Sequence, residues 1–197
     1  MCGRYNFTAE ESAELQEIVR QIEAKNAQAE WHVGEIFPTN TAPVLFWEQE
    51  QTSPDLLGWG FPGFKSGART IINARAETAG ERPMFRKSLD ERRCVIPSSG
   101  FYEWQKLSKQ KYLFRLPGED ALYMAGIWNE FAGERRFCII TTEANESIAD
   151  VHSRMPVVLP KSEINEWLCN RRVAEEILHT VPPMLAREAV SAQTTLW

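Results

Sequence analysis

The sequence predicts an α+β fold carried by a largely antiparallel sheet. Two observations predict it. The elements read in the order helix, many strands, helices, without the regular strand–helix alternation of a doubly wound parallel sheet. Between Glu35 and Thr142 the chain is a series of short apolar runs broken by Pro and Gly, at the length and spacing of strands. At 197 residues, 43% hydrophobic and 25% charged, the chain is long enough to bury one substantial core and reads as a single domain over 1–197.

The first helix opens with a capping-box pattern, Thr8 with Glu11, and continues through Leu15, Ile18, Val19 and Ile22 at helical spacing to about Gln28. Strands follow at PVLFWEQ, LLGWGF, TIINARAE, RCVIPSSGFYEWQ, KYLFRL, ALYMAGIWNEF and RFCIITTEA, interrupted by a basic helical stretch, MFRKSLDER. Two helices close the chain, SEINEWLCN with Ser162 as its cap and VAEEILHT, before a short tail whose Trp197 is expected to tuck against the body. Neither GxGxxG, P-loop nor HExxH occurs, which removes the usual support for nucleotide-cofactor and metalloprotease chemistry.

Net charge is −5, which argues against an indiscriminate nucleic-acid coat. The charge is uneven. Residues 65–93 hold eight basic and four acidic side chains, so that window is positive within an acidic chain and offers a local phosphate-binding surface. The start of the chain lacks the apolar core of a signal peptide and no run reaches membrane-spanning length, so a reducing, cytoplasmic setting is expected. The cysteines are widely spaced with no CxxC, unlike a zinc site or disulfide framework. Cys94 and Cys138 sit in apolar runs as small hydrophobes, Cys169 falls in a helix, and only Cys2 stands outside an apolar element.

Four short motifs carry chemistry. MCGRY places Cys2 where loss of the initiator Met would leave a thiol and a free α-amine on one residue. In TIINARAET, Asn73, Arg75 and Glu77 alternate at a strand end, so an amide, a guanidinium and a carboxylate project to one side. PSSGFYEWQ sets Glu103 among Phe101, Tyr102 and Trp104, where desolvation would raise its pKa and suit it to proton transfer. ADVHSRMPVVL holds His152 and Arg154 in a turn before Pro156, whereas His32 and His179 read as loop and helix-end residues.

Taken together, MCGRY, INARAET, SGFYEW and HSRMP in this order and spacing resemble the SOS-response-associated peptidase (SRAP) family, from Cys2 to about Trp167. The resemblance implies a barrel-like β core with flanking helices. It implies a sensor of abasic sites in single-stranded DNA that crosslinks to the open-chain sugar through Cys2, forming a thiazolidine after Met1 removal. It also implies self-processing at Met1 and crosslink reversal. In that family pattern Asn73 positions the amine and sugar, Glu103 shuttles protons and His152 serves the sugar hydroxyl. Arg4, Arg75 and Arg154 clamp phosphates, for which the planar guanidinium is suited. No metal or organic cofactor is implied, and a monomer is expected. The chain departs from the pattern before INAR, where many members carry a tryptophan pair and this sequence has Phe64 and Lys65. Base stacking on Phe64, with Lys65 at a phosphate, is the corresponding expectation. Rival readings are a cysteine or N-terminal-nucleophile peptidase using Cys2 and His152, a non-covalent single-stranded DNA-binding module, and a structural protein with a buried N-terminus.

Overall fold

The computed structural model describes residues 2–10, 12–26, 28–63, 67 and 69–191. The expectations for Phe64, Lys65 and Trp197 lie outside those residues. Strand β1 (Tyr5–Phe7) precedes helix α1 (Ala13–Lys25), and β2 (Gly34–Ile36), β3 (Thr41–Glu48) and β4 (Gln51–Trp59) follow. Helix α1 forms where the periodicity places it, with Leu15, Ile18 and Ile22 buried, but its cap is Ser12 and not Thr8. The Ser12 hydroxyl accepts from the Leu15 N–H at 3.3 Å, the N-cap geometry that satisfies an otherwise orphaned donor. The helix ends at Lys25, short of Gln28, because Asn26 leaves helical dihedrals.

Next come β5 (Asn73–Arg75), α2 (Ala76–Ala79) and α3 (Pro83–Glu91). TIINARAE is therefore not one strand, and Glu77 stands on a helical turn instead of continuing the strand alternation of Asn73 and Arg75. RCVIPSSGFYEWQ also divides, into β6 (Arg93–Ser98) and β7 (Gly100–Trp104), which belong to different sheets. The break falls at Gly100, whose φ is +149° and where a Cβ would lie 2.5 Å from the Phe114 carbonyl oxygen. Only glycine fits that conformation and that approach.

The chain continues through β8 (Lys111–Arg115), β9 (Leu122–Phe131), β10 (Glu134–Glu143), β11 (Arg154–Pro156) and β12 (Val158–Leu159). It closes with α4 (Ile164–Cys169), α5 (Arg171–Leu178) and β13 (Ala186–Val190). Ser162 does not cap α4: it lies inside a 3₁₀ turn, Lys161–Glu163, that runs straight into the helix. Helix α5 does have a side-chain cap, Asn170, which accepts from the Val173 N–H at 3.3 Å.

Strands β3, β4, β6, β9 and β10 pair around a closed ring, every contact antiparallel except β4 with β10. The expected barrel-like core is thus present as a mixed barrel. Its strands are buried through long stretches (all of Arg93–Ser98, and Leu122–Ile127) because one face fills the barrel and the other is covered. Inside, Trp59 stacks on Phe137 with planes 4° apart and meets Tyr5 at 5.2 Å between centroids. A second, antiparallel sheet in the order β13-β8-β7-β1-β2 stands against the barrel. Arg93 ties the helical side down: it is buried, donating from Nε to the Trp167 carbonyl at 2.6 Å and from Nη1 to the Leu89 and Asp90 carbonyls at 2.9 Å. These are C-terminal carbonyls of α3 and α4, which a cation favours. Arg93 therefore leaves the basic surface that residues 65–93 suggested.

Candidate functional site

Strand register brings the first two motifs together. Tyr5 pairs with Phe101 and Asn6 with Gly100 in the β1–β7 ladder, and the Tyr102 N–H donates to the Arg4 carbonyl at 2.9 Å. One more step along this antiparallel direction leads to Gly3 opposite Glu103, with Cys2 next in the chain. Cys2 is fully buried, its Sγ 3.9 Å from the Arg4 carbonyl oxygen. Burial first, and the Glu103 carboxylate second, push the Cys2 thiol far above the usual range. The thiol is consequently neutral near pH 7, unlike an activated peptidase thiolate. Glu103 is 5% exposed, and burial pushes its carboxyl up to about 7. The period of two in β7 produces this: Phe101 and Glu103 turn inward while Tyr102 and Trp104 are half-buried.

The other two motifs meet across β10. Parallel pairing of β5 places Asn73 opposite Ile139 and Arg75 opposite Thr141, while β11 sets Arg154 opposite Glu143. From there the Arg154 side chain reaches over β10. Its Nη2 donates to the Thr141 carbonyl at 2.6 Å, and Nη1 and Nη2 donate to Glu77 Oε1 and Oε2 at 2.7 and 2.9 Å. His152 Nδ1 faces the Arg154 backbone from two sides, 3.0 Å from its N–H and 3.1 Å from its carbonyl oxygen. The ring can accept from the N–H with its proton on Nε2, or donate to the carbonyl with its proton on Nδ1. Burial holds His152 below its usual pKa, which favours a neutral ring at pH 7.

Two contacts join these halves. The Trp59 indole N–H, beside Tyr5 in the barrel, donates to the Ile72 carbonyl at 3.1 Å, next to Asn73. Gln105 Nε2, two residues beyond Glu103, donates to the Asp150 carbonyl at 3.4 Å, two residues before His152. Asn73 presents a carboxamide whose nitrogen and oxygen are both buried and have no hydrogen-bond partner among the described residues. A buried amide left in this state costs free energy that a ligand's hydrogen bonds would return. Asn73, Arg75 and Arg82 line one cleft of about 380 Å³, floored by Ile71, Met84 and Phe85.

Arg4 is engaged before any ligand arrives. Its Nη1 donates to Glu35 Oε1 at 2.8 Å, and its guanidinium lies 3.8 Å over the Phe37 ring. Glu35 also accepts from Lys111 Nζ at 2.7 Å. Arg75, in contrast, is exposed, with no side-chain hydrogen bond among the described residues. Sequence reasoning missed Glu35, which no local pattern marks, and the Tyr5 hydroxyl, which is buried without a partner close enough to Cys2 for their charges to interact. Cys94 and Cys138 are buried as expected, Cys169 ends α4 exposed, and His32 and His179 are exposed.

A sequence model described as "SOS response associated peptidase (SRAP)" matches residues 1–194. The chain belongs to the SRAP family. Among SRAP relatives, abasic site processing protein YoqW of Bacillus subtilis is 31% identical over 196 residues, covering 92% of this chain and 86% of that one. Abasic site processing protein YedK of Escherichia coli is 28% identical, with 85% and 79% covered. The SRAP chain also shares its fold with a crystal structure from Bordetella bronchiseptica at a TM-score of 0.76, covering 97% of this chain and 100% of that one at 21% identity. Among the described residues, no helix of this SRAP protein is long and apolar enough to cross a membrane.

Proposed function

We propose that this protein senses abasic sites in single-stranded DNA and joins them covalently through Cys2. The observation that carries the reading is the buried Glu103 carboxyl, held at about 7, in electrostatic contact with Cys2. The names of the SRAP relatives support the choice of substrate. Residue 1 must first be cleaved, by water adding across its peptide bond, because Cys2 has no α-amine before that. Cys2 and Glu103 are the candidates for this self-processing, and a general aminopeptidase could also perform it. The freed amine then adds to the C1′ aldehyde of the opened sugar and water leaves, forming an imine. The thiol next adds across the C=N bond: sulfur bonds to C1′, its proton passes to nitrogen, and a five-membered thiazolidine closes.

A carboxyl near pH 7 can both accept and return protons in these steps, and in the reverse of them. His152 presents its Nε2 edge to the sugar hydroxyl, and the unpartnered Asn73 amide orients the amine and sugar. Arg75, Arg154 and Arg4 hold the flanking phosphates. The protein acts as a monomer in the cytoplasm, on DNA.

The test is denaturing electrophoresis after mixing protein that mass spectrometry shows to begin at Cys2 with single-stranded DNA containing one abasic site. An SDS-resistant shifted band is expected, absent with intact DNA and with Cys2→Ala. No band from correctly processed wild-type protein sinks the reading. Turnover of unrelated peptides by the same protein would instead favour a peptidase.

A further inference from the structure

Arg154 has its hydrogen-bonding fork filled in the free protein. Two near-parallel bonds run to the Glu77 carboxylate, at 2.7 and 2.9 Å, the same bidentate pattern that a phosphate would make. The remaining edge is held by the Thr141 carbonyl through Nη2, while Nε is buried without a partner. A phosphate therefore cannot take two donors from Arg154 until Glu77 leaves. We propose that Glu77 is an internal stand-in for a DNA phosphate, occupying Arg154 until a phosphate displaces it and thereby weakening the hold on undamaged DNA. This rests on the DNA-binding reading above.

Three features make exchange workable. The Arg154 side chain is 15% exposed and Glu77 42%, so the carboxylate is the more accessible partner. Glu77 borders an open cavity of about 710 Å³, which gives the released carboxylate somewhere to go. Glu143 and Glu146 line that same cavity, and their charges drive Glu77 back to Arg154 once DNA departs. Arg75 completes the arrangement: its charge also acts on Glu77, yet its own guanidinium is exposed and ready for a first phosphate. Arg75 is thus the contact any strand can make, and Arg154 the contact that costs the loss of an ion pair. Weak binding to intact strands lets covalent capture, which needs the aldehyde, decide where the protein stays.

The sign of the effect separates this from a brace. If Glu77 merely holds Arg154 in place, removing its charge weakens DNA binding or leaves it unchanged. As a competitor, its removal strengthens binding. The experiment compares Glu77→Gln with wild type for binding of intact single-stranded DNA at low salt. Roughly two- to fivefold tighter binding is expected, the range set by an exposed ion pair. Glu17→Gln, which removes an equal charge from an exposed site on α1 paired with Arg20, is expected to leave binding unchanged. In an Arg154→Gln background, Glu77→Gln should add nothing. Unchanged or weaker binding by Glu77→Gln, an equal gain from Glu17→Gln, or the same gain without Arg154 overturns the proposal. Crosslinking to abasic DNA is scored in parallel. Its absence in wild type would defeat the function itself, whereas its presence with no gain in Glu77→Gln defeats only this inference.

Discussion

The helical side of the barrel and the face around Cys2 treat buried polar groups in opposite ways. On the helical side, Arg93 is buried with its donors spread over the carbonyls of Trp167, Leu89, Asp90 and Leu168. The Trp167 indole N–H is likewise held, by the Cys94 carbonyl at 2.9 Å. Across the candidate site, buried atoms of Arg4, Tyr5, Asn73 and Arg154 have no partner among the described residues. Only Ser88 Oγ shares that condition elsewhere among those residues. Arg93 and Trp167 are satisfied within the protein, whereas the Asn73 amide and the Tyr5 hydroxyl are left to be satisfied by something else. The cost is carried where a ligand can relieve it.

The largest effect expected on stability comes from breaking the satisfied side. Arg93→Met should cost about 3–5 kcal/mol, because the buried carbonyls at two helix ends lose their donors. Chemical denaturation checks this, and crosslinking by the fraction that remains folded should be unchanged. Asn73→Leu probes the other side and should do the reverse. Crosslinking is expected to fall by about two orders of magnitude, the scale of losing one oriented hydrogen-bonding group at a reacting centre. Stability should hold or rise slightly, since an unpaired amide is replaced by an apolar group of similar shape. A large loss of stability would mean that Asn73 is structural after all.

Glu103 lies between these extremes, and its contribution depends on pH. Its pKa is raised in the folded protein to about 7, so folding takes up a proton between the ordinary carboxyl value and 7. The stability it contributes is complete below its unfolded pKa and is lost as pH rises through 7. Glu103→Gln should therefore gain on wild type between pH 5 and pH 8, by about 2–3 kcal/mol at most. Thermal unfolding across that range measures it. If the carboxylate accepts the proton in the slow step, wild-type crosslinking rises through pH 7, and Glu103→Gln loses that limb. A pH-independent stability difference would place the Glu103 pKa back in the ordinary range.

Much of the contrast was legible in the sequence, and its limits have physical causes. Helix α1 follows from Leu15, Ile18 and Ile22, a purely local pattern, and the alternation of Asn73 with Arg75 survives as β5. The cap at Ser12 was missed because Thr8 and Glu11 offered an equally good local pattern three residues apart. The β6–β7 division was missed because an apolar run has the same appearance whether it stays in one sheet or crosses between two; the deciding feature, the close approach of Phe114 to Gly100, is a tertiary contact. The same holds in the site. Residue types at Cys2, Glu103 and His152 were readable, but the burial of Cys2 and the pairing of Arg154 with Glu77, 77 residues away, depend on strands that meet only in the folded chain.

Tyr5 sharpens the comparison with the smallest change. Its ring packs at 5.2 Å against Trp59 as a core residue, yet its hydroxyl is buried and unpaired beside Cys2. Burial, and then the charge of Cys2, push its ionisation well above the ordinary tyrosine value, so it remains a neutral donor. If the hydroxyl is only an imperfection of packing, Tyr5→Phe should stabilise the protein by about 1 kcal/mol and leave crosslinking alone. If it belongs with Asn73 as a group awaiting the sugar, the same stabilisation should come with crosslinking slowed several-fold. The second outcome is expected, because the ring alone would fill this site in the core as well with phenylalanine. Measuring the melting temperature and the crosslinking rate on one preparation decides between them, since packing predicts the first change without the second.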